Sequence, residues 1–252
     1  MLALPRSARL AVWTTAWLSG DAALDDVVDR VQGDDEPHQV RGVPGIPGPA
    51  GLATALGVLR AHGATALALA LPRPGDPLGV AGDAATTAEA VLAGEAAVAS
   101  GADVALVPRV EAFGPPGDQG HLVTWSWLPA RFRTDLPGVA EAERALRERL
   151  LEAAGTLSGL DVAGWRPEVG RLLEDVRGAV PAEPLPRAYP PRAQALAAQA
   201  ARLRAVVDLA LGDDGGALTS RAAEARRAAL LPLEAAARRA LVAACGAAEP
   251  RR

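Results

Sequence analysis

Residues 95–112, EAAVASGADVALVPRVEA, decide the fold. Two apolar runs, 95–100 and 104–112, flank Gly101-Ala102-Asp103. A short glycine-containing break between two such runs predicts a β-hairpin. Upstream, residues 64–71 read Ala-Thr-Ala-Leu-Ala-Leu-Ala-Leu. This run is too apolar for a half-exposed strand and predicts one buried on both faces. Pro72, Pro74 and Pro77 prevent its continuation. Downstream, Gly114-Pro115-Pro116-Gly117-Asp118 turns the chain into His121–Leu128. There Leu122, Thr124, Ser126 and Leu128 alternate with Val123, Trp125 and Trp127, the period of a last strand. The middle of the chain therefore reads as a small, mostly antiparallel sheet of about four strands flanked by helices.

Working outward, residues 6–19 predict a first helix, and Ser19 or Asp21 a cap for a second. Leu24, Val27, Val28 and Val31 give that second helix its apolar face, and Gly33 ends it before the acidic turn Asp34-Asp35-Glu36-Pro37-His38. The three Gly-X-Y triplets in residues 42–51 are too few for a collagen helix and predict a short extended linker. Leu52, Leu56 and Leu59 mark a third helix ending at Gly63, and Asp83 and Gly94 bracket a fourth over 84–93.

After Pro129 the pattern is helical. It predicts helices over 137–155 and 166–178, a stiff proline-rich linker from Pro181 to Pro191, and two long helices over 191–211 and 217–245. The short Gly212–Gly216 link makes the last pair an antiparallel hairpin with an alanine-lined seam, and Pro232 should bend its second arm. The expected class is α+β. Residues 1–135 form an α+β domain and 136–252 a helical region with the C-terminal hairpin, or one domain if the two pack together.

Composition narrows the chemistry. Half of the 252 residues are apolar and 22% charged, a globular balance, while aromatics are 3%, so the core must rest on Leu, Val and Ala. All 26 basic residues are Arg, which excludes a Schiff-base or P-loop lysine. The Ala, Arg, Gly and Pro bias resembles a GC-rich bacterial genome. One cysteine, Cys245, permits neither an intrachain disulfide nor a cysteine zinc site, and its Ala-rich surroundings predict a small buried hydrophobe. Arg6 and Arg9 ahead of the uncharged run Leu10–Gly20 faintly resemble a signal peptide, but two tryptophans and two threonines make an ordinary helix the better reading. No apolar stretch reaches the ~18–20 residues that span a bilayer. A cytoplasmic location is expected.

No G-x-S-x-G, H-E-x-x-H, G-x-G-x-x-G or G-x-x-x-x-G-K-[ST] signature is present. The strand-end loop at 71–79 offers Arg73 and Asp76, and Arg109 and His121 lie at or near other strand ends. Convergence of these four would make an anion-binding or catalytic pocket; otherwise 73–76 is a rigid turn. Asp34, Asp35, Glu36 and His38 lack the spacing of a calcium loop and read as a solvated turn. The pairs Trp13/Trp17 and Trp125/Trp127 could be binding platforms, with core packing the commoner use. No metal and no cofactor is expected.

Charge is uneven. Residues 1–186 hold 15 Arg against 24 acidic residues, net −9, and residues 187–252 hold 11 Arg against 6, net +5. Arg202, Arg204, Arg226, Arg227, Arg238 and Arg239 lie on the terminal helices. The leading expectation is a non-enzymatic interaction or scaffold protein whose hairpin, through Leu196, Leu203, Val207, Leu211, Leu218 and Leu233, contacts a protein partner or a second copy. The alternative is an enzyme or small-anion binder at Arg73, Asp76, Arg109 and His121. Nucleic-acid binding by the basic hairpin is a weaker third, since the excess charge is modest.

Overall fold

The computed structural model describes residues 4–115, 118–133, 136–159, 184–212 and 220–248. The chain divides into two compact units. One comprises chiefly residues 5–136 with 185–190, the other chiefly residues 137–184 and 191–247.

The first unit is built on a seven-stranded, mostly antiparallel sheet in the order β2-β1-β7-β6-β5-β3, with β4 also paired to β7. Four strands are those the sequence predicts: β3 (Ala66–Ala70), β5 (Ala96–Ser100), β6 (Val104–Phe113) and β7 (Gly120–Phe132). The hairpin between β5 and β6 forms as expected, Asp103 taking a positive φ of 49° in its turn. Sequence periodicity underestimates the strand number because β1 (Gln39–Arg41), β2 (Ala50–Gly51) and β4 (Val80–Gly82) have only two or three residues each. It also ends β7 too early. The strand continues through Pro129, and Ala130–Phe132 pair with β4. Residues 42–49 are not the short extended linker the sequence predicts. They join the antiparallel strands β1 and β2, and Gly42, Gly45 and Gly48 turn the chain through φ of 81°, 76° and 111°.

Four helices accompany the sheet: α1 (Arg6–Leu18), α2 (Leu24–Gln32), α3 (Leu52–Ala61) and α4 (Ala84–Ala93). Asp83 caps α4 by accepting the Thr86 N–H at 2.7 Å, and Gly94 closes it in the left-handed conformation. Neither Ser19 nor Asp21 caps α2, whose N-cap is Ala23; the Ser19 hydroxyl instead donates back to the Thr15 and Ala16 carbonyls at the end of α1. α4 and β4 cover one face of the sheet, where Ala70, Val80, Ala90, Ala96, Val98, Ala105, Val107 and Ala130 form a cluster of small side chains. α1 packs on β3, β5 and β6 and is buried along most of its length. The outer edge of β3 is closed by a side chain: the Thr15 hydroxyl accepts the Leu67 N–H at 2.9 Å and donates to the Leu67 carbonyl at 3.0 Å. That satisfies backbone groups an open edge strand would leave available for foreign pairing.

The second unit contains α5 (Val139–Gly159), α6 (Pro191–Gly212) and α7 (Ser220–Cys245) among the described residues. α7 packs against both α5 and α6. Arg226, near the start of α7, donates to the Ala210 carbonyl in the last turn of α6 at 2.8 Å, as an antiparallel hairpin requires. Leu196, Ala200 and Val207 of α6 are buried, as are Leu233, Ala236 and Ala240 of α7, so the alanine-lined seam is internal. The helix expected over 166–178 and the Gly212–Gly216 link lie outside the described residues, apart from Gly212 itself.

Candidate functional site

Gly33 ends α2 with φ 57°, and the chain then enters β1 through Asp34–His38. Val40 is buried opposite Trp125 in the parallel β1–β7 pair, while Gln39 and Arg41 are exposed. Strand period two places His38 on the Val40 side, toward Trp125. The acidic turn is therefore only partly solvated. Asp34 and Glu36 are exposed, but Asp35 is 9% and His38 3% accessible.

Asp35 is the hub of the cluster. Its carboxylate accepts two hydrogen bonds from Arg6, at 2.7 Å from Nε and 2.6 Å from Nη2, and lies 3.6 Å from Arg9 Nη2. His38 Nε2 is 3.3 Å and His121 Nδ1 3.6 Å from the same carboxylate. On the far side of His38, the Trp125 indole N–H donates to Nδ1 at 3.2 Å. An indole nitrogen can only donate, so Nδ1 must accept and the His38 proton sits on Nε2, directed at Asp35. The histidine is thus neutral, and burial, first, holds its pKa below the ordinary 6.5, against the opposing pull of Asp35. Burial pushes the Asp35 carboxyl up, but the hydrogen bond and charge of Arg6, with His38, outweigh it and leave the pKa below 3.8. The cluster extends to the first turn of α1, where Glu95 accepts the Ser7 N–H at 2.8 Å. A carboxylate there satisfies a free helix N–H and complements the helix dipole.

The four sequence-predicted site residues occupy three environments. Arg73 and Asp76 come together through backbone hydrogen bonds of 2.8 and 2.9 Å, with Pro74 and Gly75 (φ 79°) between them, the proline-glycine arrangement of a type II turn. The Arg73 guanidinium lies against Gly94 at the end of α4. Arg109 is exposed on β6 and pairs with Glu111 at 3.0 Å. His121 faces Asp35 and is half-buried. Arg109 pairs with Thr124 and His121 with Ala112, so the two side chains leave opposite faces of the β6–β7 ladder. Sequence reading missed Asp35, Arg6 and Trp125 as one unit.

Other side chains singled out in the sequence have structural partners. Arg30 of α2 stacks over Trp13 at 5.3 Å and Arg60 of α3 over Trp17 at 5.2 Å, tying α1 to both helices. Trp125 is fully buried, and Trp127 is half-buried with its edge to His62. Burial pushes the Cys245 thiol up to about 12, so at neutral pH it is a protonated core group. Of the six arginines on the terminal helices, Arg226 and Arg238 are buried rather than displayed. Arg238 pairs with Glu234 at 2.9 Å. Leu203 and Leu211 are half-buried, and Leu218 lies outside the described residues. Among the described residues no group of three or more His, Cys, Asp and Glu side chains is arranged to hold a metal, and no helix is long and apolar enough to cross a membrane.

The comparisons with known proteins cover both units. A family model described as Rv1486c-like protein, N-terminal domain, matches residues 7–142, and one described as Rv1486c-like protein, C-terminal domain, matches residues 140–242. The uncharacterized protein Rv1486c of Mycobacterium tuberculosis strain H37Rv is 30% identical over 247 residues, spanning 82% of this chain and 83% of its own length. The uncharacterized protein MT1533 of strain CDC 1551 has the same identity and coverage. No solved structure matches the chain. With one model covering more than half of it and the other most of the remainder, the chain belongs to the Rv1486c-like protein family.

Proposed function

We propose that this protein is a non-enzymatic cytoplasmic interaction or scaffold protein whose helical unit docks a protein partner. One observation carries the reading. α5 and α7 keep Leu151 and Leu231 68% and 48% exposed, on the two helices that also line a groove of about 430 Å³. Ala142, Ala145, Pro232 and Ala235 form its apolar walls, with Arg149 and Arg239 beside them. Exposed leucines and an apolar groove on the same helices are the kinds of surface a partner's side chains would cover. The seam residues Leu196, Val207 and Leu233 are buried within the helical unit. A photo-crosslinking amino acid at Leu231, expressed in the native cell, should give a discrete adduct, whereas the same group at exposed Glu89 on α4 should not. Equal adducts at both positions, or none, would remove the proposal.

A second reading retains one supporting feature. His121 is oriented by Asp35 yet half-exposed, an arrangement compatible with anion binding or proton transfer. Arg73, Asp76 and Arg109 would join it only through a ligand large enough to reach their separate places. Calorimetric titration with inorganic phosphate tests this: heat that vanishes in His121→Gln supports it, and no heat removes it. Nucleic-acid binding would depend on Arg202, Arg204, Arg227 and Arg239, since the other two arginines are internal.

A further inference from the structure

The β6–β7 ladder extends past β5 and carries an exposed, chemically patterned face. Beyond Val107, which is buried in the cluster under α4, β6 continues to Phe113 with every residue from Arg109 onward exposed. Period two puts Arg109, Glu111 and Phe113 on one side, and the cross-strand register adds Thr124, Leu122 and Gly120 to that side. Leu122 is 48% and Phe113 43% exposed. The Phe113 ring lies over Gly120, where an added Cβ would meet it. Gln39 and Arg41 of β1, opposite Thr124 and Ser126, extend the same face and are also exposed. Apolar side chains thus sit among polar ones, and the charges alternate in sign: Arg109 and Glu111 pair with each other at 3.0 Å while 79% and 58% exposed.

We propose that this face is the contact surface between two copies of the chain related by a twofold axis. The alternation of Arg109 and Glu111 argues for a second copy over a foreign partner. A twofold interface requires a patch that complements itself, residue i meeting j while j meets i. Two opposed copies can exchange partners, Arg109 of each copy meeting Glu111 of the other, with Leu122 and Phe113 covered between them. This surface belongs to the α+β unit and is independent of the docking assigned to the helical unit.

Sedimentation equilibrium of the full chain, together with single and paired variants, tests the assignment. The wild type should form a dimer across a micromolar concentration range. Leu122→Asp should be monomeric, because it buries a charge at the centre of the patch. Arg109→Glu alone makes positions 109 and 111 both acidic, and Glu111→Arg alone makes both basic. Each should weaken self-association by about tenfold or more, since like charges then face each other across the axis. The two single variants, mixed, should pair with one another, and the double exchange Arg109→Glu/Glu111→Arg should dimerise like the wild type. Circular dichroism spectra matching the wild type and cooperative unfolding establish that the variants are folded; all three substituted positions are exposed. A wild-type monomer throughout, a dimer indifferent to Leu122→Asp, or single variants that fail to pair with each other would overturn the proposal.

Discussion

The polar contacts within the two units differ in reach. In the α+β unit, beside short ties such as His38 to Asp35, several buried and part-buried bonds join distant stretches: Arg6 to Asp35 across 29 residues, Thr15 to Leu67 across 52, Trp125 to His38 across 87 and Ser7 to Glu95 across 88. In the helical unit two buried side-chain ties among the described residues are short: Arg238 to Glu234 across 4 residues and Arg226 to the Ala210 carbonyl across 16. One unit is fixed by a branched network connecting its first helix to its last strand. The other buries a seam rich in alanine and leucine between its helices. A single lost group should therefore disturb several elements in the first unit and only a local patch in the second.

Asp35→Ala gives the largest expected break in this contrast. It removes the partner of Arg6 and leaves the buried His38 Nε2–H without an acceptor. Breaking a buried, hydrogen-bonded pair from one side costs roughly 3–5 kcal/mol. Urea unfolding followed by tryptophan fluorescence should show a loss of that order, and a midpoint within error of the wild type would mean that Asp35 is not the hub. Trp125→Phe comes next. It retains most of the apolar volume but deletes the donor to His38 Nδ1, so about 1–3 kcal/mol should be lost for the orphaned acceptor. Freed from the indole, Nδ1 can also take a proton, so the His38 pKa should rise relative to the wild type in a histidine NMR titration.

The same geometry sets a pH dependence. The folded state holds His38 below its ordinary 6.5, so the unfolded chain binds more protons in the window beneath that value. Stability from this group is full above pH 6.5 and is lost as pH falls from there toward the folded-state pKa. Asp35, held below 3.8, adds a second loss as pH falls under that value toward its own folded-state pKa. The network thus destabilises the α+β unit in acid in two stages. Unfolding midpoints of the wild type should drop between neutral pH and pH ~5, and His38→Gln should flatten that first drop. An equal drop in both proteins would place the sensitivity elsewhere.

How much of this was legible depended on the range over which each feature is encoded. β3, β5, β6 and the first part of β7 carry their own period, and Asp83 and Gly94 bracket α4 with local cap chemistry. These signals need no distant partner. β1, β2 and β4 are too short to express a period, so only pairing with β7, or with β1 in the case of β2, makes them strands. Pro129 is a strong local stop signal, yet the ladder resumes at Ala130, whose N–H donates to Asp103. The Asp35 cluster is the least local feature. The sequence Asp34-Asp35-Glu36 looks like a solvated turn because nothing nearby reveals that Arg6 closes over its middle residue and Trp125 over the adjoining His38. Conversely, Arg226 and Arg238 look like surface charge on an amphipathic pattern, and only the stacking of α7 against two helices puts them inside.

The helical unit supplies the smallest effect and the sharpest counterpart. Arg238 and Glu234 are buried, one helical turn apart on α7, with the acid N-terminal to the base, the favourable order along a helix. Glu234→Leu alone should destabilise, because it takes a carboxylate partner away from a buried guanidinium. Replacing both, as Glu234→Leu with Arg238→Met, removes the desolvation cost together with the attraction, and such exchanges are often neutral or better. The double variant should therefore unfold within about 1 kcal/mol of the wild type by urea denaturation. A comparable apolar exchange in the α+β unit would need to replace Asp35, Arg6 and His38 together, since each is bonded to another member of the network. If the double variant of α7 fell as far as Asp35→Ala, the helical unit would also rest on a polar keystone, and the difference in reach between the two units would have no energetic meaning.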